Sequence, residues 1–112
     1  MAVIRELLAV PMQTGATSDI QSGIARKAGV LWCTRHRDES ARSRSVMVFV
    51  HPSSNFMAHY ALEPLARLGV DAVGMTTRYL GNESALQLEN CVVDIGSVLH
   101  LLREEGYEQI VL

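Results

Sequence analysis

The apolar positions change character at Val46. From there on they fall into blocks. Val46-Met47-Val48-Phe49-Val50 is apolar at every position and stops abruptly at His51-Pro52-Ser53-Ser54-Asn55. An unbroken run of that length predicts a strand buried on both faces, as in a parallel sheet. Met57, Tyr60, Ala61, Leu65 and Leu68 then recur at spacings of three and four, one face of a helix. Pro64 fits if the regular helix begins near Ala61, because a first-turn proline gives up no intrahelical bond. Ser54 to Tyr60 is then an irregular entry, and Gly69 is the helix stop. Val70 to Thr76 predicts a second strand, in which Gly74 allows a neighbour to approach closely. Thr77 to Glu83 is a loop containing Arg78 and Gly81. Ser84 and Gln87 have capping-box spacing. A helix is expected from about Ala85 to Glu105, with Val92, Ile95, Gly96, Leu99 and Leu102 facing the sheet. Gly106 stops it, and Ile110-Val111-Leu112 begins a third buried strand. The strand–helix–strand–helix–strand order predicts that Val46–Val50, Ala72–Met75 and Ile110–Leu112 are parallel neighbours joined by right-handed crossovers.

Before Val46 the pattern is shorter and mixed. Leu7-Leu8-Ala9-Val10 ends at Pro11, and a turn-rich stretch runs from Gln13 to Asp19. Gly29 precedes Val30-Leu31-Trp32-Cys33-Thr34, rich in strand-favouring residues. Two or three short antiparallel strands are expected here, because the connections are too short for a helical crossover. Ile20 to Lys27 is ambiguous and reads best as strand. The fold class is therefore α/β: short antiparallel strands, then a parallel strand–helix–strand–helix–strand unit. It reads as one incomplete domain over 1–112, with antiparallel strands and a polar loop in 1–45 and the parallel unit in 46–112. A flavodoxin-like or response-regulator-like sheet fits less well, since too few units are present and no acidic cluster follows the first strand.

Composition narrows the chemistry. The chain has 112 residues, 48% hydrophobic and 20% charged, with a net charge of -2. Its pI is about 6.0. No bulk attraction to nucleic acid or anionic membrane follows from that balance, and an aromatic content of 5% weakens base stacking. No apolar run approaches the roughly 18 residues of a membrane span, and no signal-peptide pattern opens the chain. Cys33 and Cys91 lie far apart among apolar neighbours and read as two buried thiols in a reducing cytoplasm. Arg35 to Ser45 is the most polar stretch. Its four arginines raise phosphate binding, but Asp38 and Glu39 interrupt the charge and no aromatics interleave, so a solvated loop is the reading taken.

His51, at a strand end, could polarise a carbonyl, bind metal or hold its loop, and hydrogen bonding to loop backbone is the plainest of these. His36, His59 and His100 do not offer zinc-motif spacing, so no metal is expected. Ser53, Ser54, Thr76, Thr77 and Ser84 are nucleophiles by type only, and none lies in Gly-x-Ser-x-Gly. Asp71 reads as a strand-edge residue, Asp94 as a helix residue, and Met47, Met57 and Met75 as core.

Val46 to Leu112 resembles the front part of the α/β-hydrolase fold, from its third strand to the start of its fifth. In that family the third strand usually ends in His-Gly, and the following loop supplies one oxyanion-hole N–H. His51 matches the histidine, whereas Pro52 stands where the glycine would be and cannot donate. The resemblance thus implies Ser53 or Ser54 as the donor. The family's loop after the fourth strand often reads Asp-x-Arg-Gly; Thr76-Thr77-Arg78-Tyr79-Leu80-Gly81 keeps the arginine and a nearby glycine without the aspartate. The antiparallel opening strands also match that fold.

The resemblance implies the amino-terminal fragment of a cytoplasmic serine hydrolase, esterase-like, acting on an ester, thioester or amide carbonyl. The fragment supplies sheet and oxyanion loop (His51, Ser53, Ser54) and a structural loop (Arg78, Gly81). It carries no catalytic residue, because the family's nucleophile, acid and base lie beyond Leu112, and neither cofactor nor metal is expected. The expected partner is a small-molecule acyl substrate of the complete protein, with neither nucleic acid nor membrane. The alternative is a non-catalytic binding or assembly module that associates through an exposed sheet edge. A phosphate-binding domain ranks last, since no glycine-rich phosphate loop is present. In either of the first two readings, the loops Pro52 to Asn55 and Thr77 to Gly81 emerge together at the carboxyl edge of the sheet.

Overall fold

The amino-terminal strands form an antiparallel ribbon longer than their apolar residues. The computed structural model describes residues 2–13, 29–81 and 83–112. The turn-rich stretch beyond Gln13 and the segment Ile20 to Lys27 lie outside them. Strand β1 (Val3–Pro11) pairs along its whole length with β2 (Val30–Asp38), Val3 opposite Asp38 and Pro11 opposite Val30. Strand β2 therefore overruns the expected loop: Arg35 to Asp38 are strand, not solvated loop. All four pair with β1, and Arg35 and His36 pair on the other side with β4 (Asp71–Met75) as well. The Arg35 side chain, only 5% exposed, is neutralised by Glu6 at 2.9 Å and by Glu105. Arg37 also bonds Glu6, at 2.7 Å. Polar composition predicts a loop only when the charges have no partners within the fold.

Strand β3 (Ser45–Phe49) lies between β4 and β5 (Gln109–Val111) and is parallel to both. The sheet order is β1-β2-β4-β3-β5, with β2 antiparallel to β4. Helix α1 (Leu62–Arg67) connects β3 to β4. A 3-10 turn (Glu83–Ala85) and helix α2 (Leu88–Glu104) connect β4 to β5. The molecule is a mixed five-stranded sheet with two helices, an α/β fold.

The main core lies between the sheet and α2: Val46, Val48, Val73 and Met75 against Val98 and Leu102. All five residues of β4 are buried, as a two-face burial pattern requires. The same expectation for β3 is corrected. Only Val46 and Val48 are buried, and Ser45, Met47 and Phe49 are half-buried. The cause is the placing of α1, which packs over β2 and β4 rather than β3. Of the three methionines read as core, Met75 is, whereas Met47 and Met57 are half-buried.

Helix α1 turns a different face inward from the one its apolar stripe suggested, whereas α2 keeps Leu102 of its stripe in the core with Ile95 and Leu99 packed against it. In α1 the buried residues are Leu62 and Ala66, while Tyr60 and Leu68 are 87% and 80% exposed. The helix begins only at Leu62, so Met57 and Tyr60 fall outside its periodicity. Pro64 does sit in its first turn, and Gly69 follows with a φ of +93°. Such a φ favours glycine, which has no Cβ to clash. In α2 the buried residues are Asn90, Cys91, Asp94, Ser97, Val98 and Leu102, while Val92 is exposed. The apolar stripe misses this because half of the buried face is polar and bonded internally. The expected Ser84–Gln87 capping box does not form. The helix starts at Leu88 and Gln87 is its N-cap; the Gln87 side chain makes no capping bond and instead accepts from Asn90 Nδ2 at 3.2 Å.

Candidate functional site

Because β3 and β4 are parallel, the loops that follow them leave the sheet at the same edge. The hydroxyl of Thr77 donates to the carbonyl of Pro52 at 2.5 Å and ties the two loops together. The first loop folds around His51. The Nδ1 of its imidazole accepts the backbone N–H of Ser53 at 3.2 Å and of Ser54 at 3.1 Å. With Nδ1 acting as acceptor, a neutral ring carries its proton on Nε2. Asn55 Oδ1 then accepts the N–H of Met57 at 2.8 Å, a local turn-forming bond.

The loop next crosses directly over β4. A Cβ on Gly74 would stand 1.9 Å from the Phe56 carbonyl oxygen, so only glycine admits the crossing. The far side of the crossing is fastened by the Thr34 hydroxyl, which donates to the Met57 carbonyl. Rings then line the way to α1. His51 faces Phe56 at 5.8 Å, Phe56 faces His59 at 4.9 Å, and His59 stacks on both Phe49 and Tyr60.

The second loop is anchored from α2. The guanidinium of Arg78 pairs with Asp94, NH2 to Oδ1 at 2.7 Å, and the Arg78 backbone N–H donates to Oδ2 at 2.8 Å. Asp94 is fully buried and the Arg78 side chain is 6% exposed. One carboxylate thus neutralises a buried cation and satisfies a loop N–H, the arrangement a buried charge requires. Arg78 also donates to the carbonyl of Gln13 at 3.1 Å. Tyr79, wholly buried, accepts from Asn90 of α2 through its hydroxyl at 2.8 Å. Gly81 turns the chain with a φ of +72°. The thiols nearby are quiescent. Burial pushes the Cys33 pKa up to about 12, against a smaller lowering by the Thr76 backbone. Burial likewise raises that of Cys91.

The fold thus gathers His51, Ser53, Ser54 and Thr77 at one edge, with Ser53 Oγ donating to Glu83 at 3.1 Å. Arg78 and Gly81 lie in the adjoining loop, where Arg78 is engaged by α2. The hydroxyls of Thr76 and Thr77 are spent on the carbonyls of Trp32 and Pro52, which makes them ties between strands and loops. Asp94 escaped the reading of the sequence. A carboxylate on the helix face shared with Cys91, Val98 and Leu102 was the available signal, since a buried acid needs a cation close by.

A second polar cluster occupies the opposite edge, where the parallel strands begin. Asp71, read as a strand-edge residue, is the first residue of β4 and is buried. It accepts from the Tyr107 hydroxyl at 2.5 Å and the Ser43 N–H at 3.1 Å. Burial, then the Asp71 carboxylate, drives the Tyr107 hydroxyl to a higher pKa. An open groove of about 340 Å³ lies there, lined by Arg42, Arg44, Glu105 and Glu108 among others. Its charges answer one another: Arg42 stands 3.7 Å from Glu105, and Arg44 pairs with Glu108. Among the described residues no group of three or more His, Cys, Asp or Glu could hold a metal ion. No helix among them is long and apolar enough to cross a membrane. Comparison with protein-family models, curated proteins and solved structures finds no match to this chain.

Proposed function

We propose that this chain is the amino-terminal part of an α/β-hydrolase-like enzyme, acting on an ester, thioester or amide carbonyl. It contributes sheet and oxyanion loop, and the nucleophile, acid and base come from elsewhere in the protein. The observation that carries the reading is the convergence of two successive N–H groups, Ser53 and Ser54, on one point at the carboxyl edge of a parallel strand. Donors aimed at a single position are what a developing oxyanion needs. The antiparallel pair β1–β2 ahead of β3 and the tie between the two loops support it. So does the hydroxyl chemistry of this edge. Thr76 and Thr77 donate to carbonyls, and Ser53 donates to the Glu83 carboxylate, so none of these three hydroxyls donates to a histidine.

The test is the reading frame downstream of the Leu112 codon. A Gly-x-Ser-x-Gly at the next strand-to-helix turn is expected, and the longer product should hydrolyse an activated ester and be labelled at that serine by a fluorophosphonate. Residues 1–112 alone should give no turnover above a denatured control. A stop codon at that point, or a longer product that neither turns over ester nor takes the label, would refute the proposal. One observation favours the second reading, an assembly module. Among the described residues strand β5 pairs only with β3, and its exposed Val111 is accompanied by no charge within Gln109–Val111 to discourage another strand.

A further inference from the structure

We infer that the His51 imidazole is a placeholder: in the resting chain it occupies the position at which the Ser53 and Ser54 N–H groups receive a carbonyl or carboxylate oxygen of the ligand. This rests on the oxyanion-loop reading above and adds a regulation to it. Two adjacent N–H groups that converge on one atom form a concave donor site suited to an anionic oxygen. Here the atom is Nδ1, at 3.2 Å and 3.1 Å. An uncharged imidazole nitrogen satisfies both donors, and they are engaged whenever the ring is in.

Three features make the ring the part that moves. His51 is exposed, so swinging it out removes little buried surface. Its ring neighbour Phe56 is 5.8 Å away and tilted, a loose contact. The donors themselves are held without it. Thr77 grips the Pro52 carbonyl, Ser53 Oγ grips Glu83, and Asn55 bonds the Met57 N–H. The loop thus keeps its shape as the imidazole leaves, and an incoming oxygen meets a preformed pair of donors.

The charge around the site selects the ligand. The Glu83 carboxylate, 3.1 Å from Ser53 Oγ, repels a full negative charge, and the Arg78 guanidinium is taken up by Asp94. The donors accordingly suit an oxygen that enters neutral and gains charge, as an acyl carbonyl does under nucleophilic attack. A free carboxylate binds more weakly, and each ligand must displace two hydrogen bonds. That competition weakens apparent affinity roughly tenfold.

The experiment follows the Ser53 and Ser54 amide resonances of the ¹⁵N-labelled chain during an acetate titration, with ionic strength held constant by chloride. His51→Ala should respond at about one-tenth of the acetate concentration that the native chain requires. His51→Asn, whose Oδ1 reaches the place of Nδ1, should return the response to the native level. Amides that do not move in His51→Ala, or that move at one concentration in all three proteins, overturn the inference. If His51→Ala loses the loop's own amide pattern, Glu83→Gln in the otherwise native chain decides. A lower acetate requirement upholds the site, and an unchanged one overturns it. Ester turnover by the longer product does not enter this measurement, so the placeholder and the hydrolase reading can fail separately.

Discussion

Replacing Asp94 by alanine is the sharpest perturbation of the candidate site that leaves its loops' own residues untouched. The change strips the carboxylate from an Arg78 side chain that is only 6% exposed, and removes the acceptor 2.8 Å from the Arg78 N–H. Breaking one half of a buried ion pair costs about 3–5 kcal/mol, because the other charge stays in a medium that solvates it poorly. The Gln13 carbonyl, 3.1 Å from Arg78 NH2, retains one bond and keeps the cost towards the lower end. Against the roughly 5–15 kcal/mol of an ordinary domain, that is a large fraction. Arg78→Met/Asp94→Leu should be much milder than either single change. It removes both charges together and leaves mainly the residue-78 N–H unsatisfied, about 1–3 kcal/mol. Urea unfolding, followed by circular dichroism and by the fluorescence of the single tryptophan, Trp32, reads the outcome. With a slope of about 1.5 kcal/mol/M, the Asp94→Ala midpoint should fall by roughly 2–3 M. A shift below about 0.3 M, or single-mutant costs that simply sum to that of the double mutant, would show that the pair is not what holds the loop.

Two further outcomes are expected. Gly74→Ala places a methyl 1.9 Å from the Phe56 carbonyl oxygen and 2.9 Å from Leu62 Cδ1, so the loop must lift off β4 at about 2–4 kcal/mol. An unchanged urea midpoint with native Ser53 and Met57 amide shifts would contradict the crossing. His36 should make the fold acid-sensitive. Burial, then Arg5 opposite it in the strand register, lowers its pKa below the ordinary 6.5, with Glu63 opposing, and its buried Nδ1 has no hydrogen-bond partner among the described residues. The unfolded chain therefore takes up a proton that the folded chain refuses. The contribution is fully present above pH 6.5 and is lost as pH falls from there through the lowered value. Native protein should lose more stability than His36→Phe between pH 7 and about 5, and parallel stability curves for the two would refute the assignment.

The sequence by itself determined the order and direction of the elements. The unbroken run at Val46, the stop at His51 and the glycines at 69, 74, 81 and 106 are local signals. The glycines at 69, 81 and 106 act through their own backbone, since a positive φ favours glycine, whereas the one at 74 leaves room for Phe56 of the preceding loop. From these follow the three parallel strands, two helices between them and two loops at one edge. Only the tertiary structure decided which side chains those elements use. The inward face of α2 could not be counted from apolar residues, because Asp94 and Asn90 are buried for partners, Arg78 and Tyr79, that lie in another segment. Arg35 to Asp38 read as loop until Glu6 and Glu105, from β1 and beyond the end of α2, supplied the opposite charges. The half-coverage of β3 depends on where α1 comes to rest. That His51 bonds the backbone of its own loop was legible at the strand end; that Ser53 and Ser54 both meet Nδ1 depends on the ring's orientation. Hydrophobic periodicity is a property of one segment and can be read along the chain. The burial of a charge or a donor is favourable only when a complementary group from elsewhere reaches it, and that pairing exists only once the chain has folded.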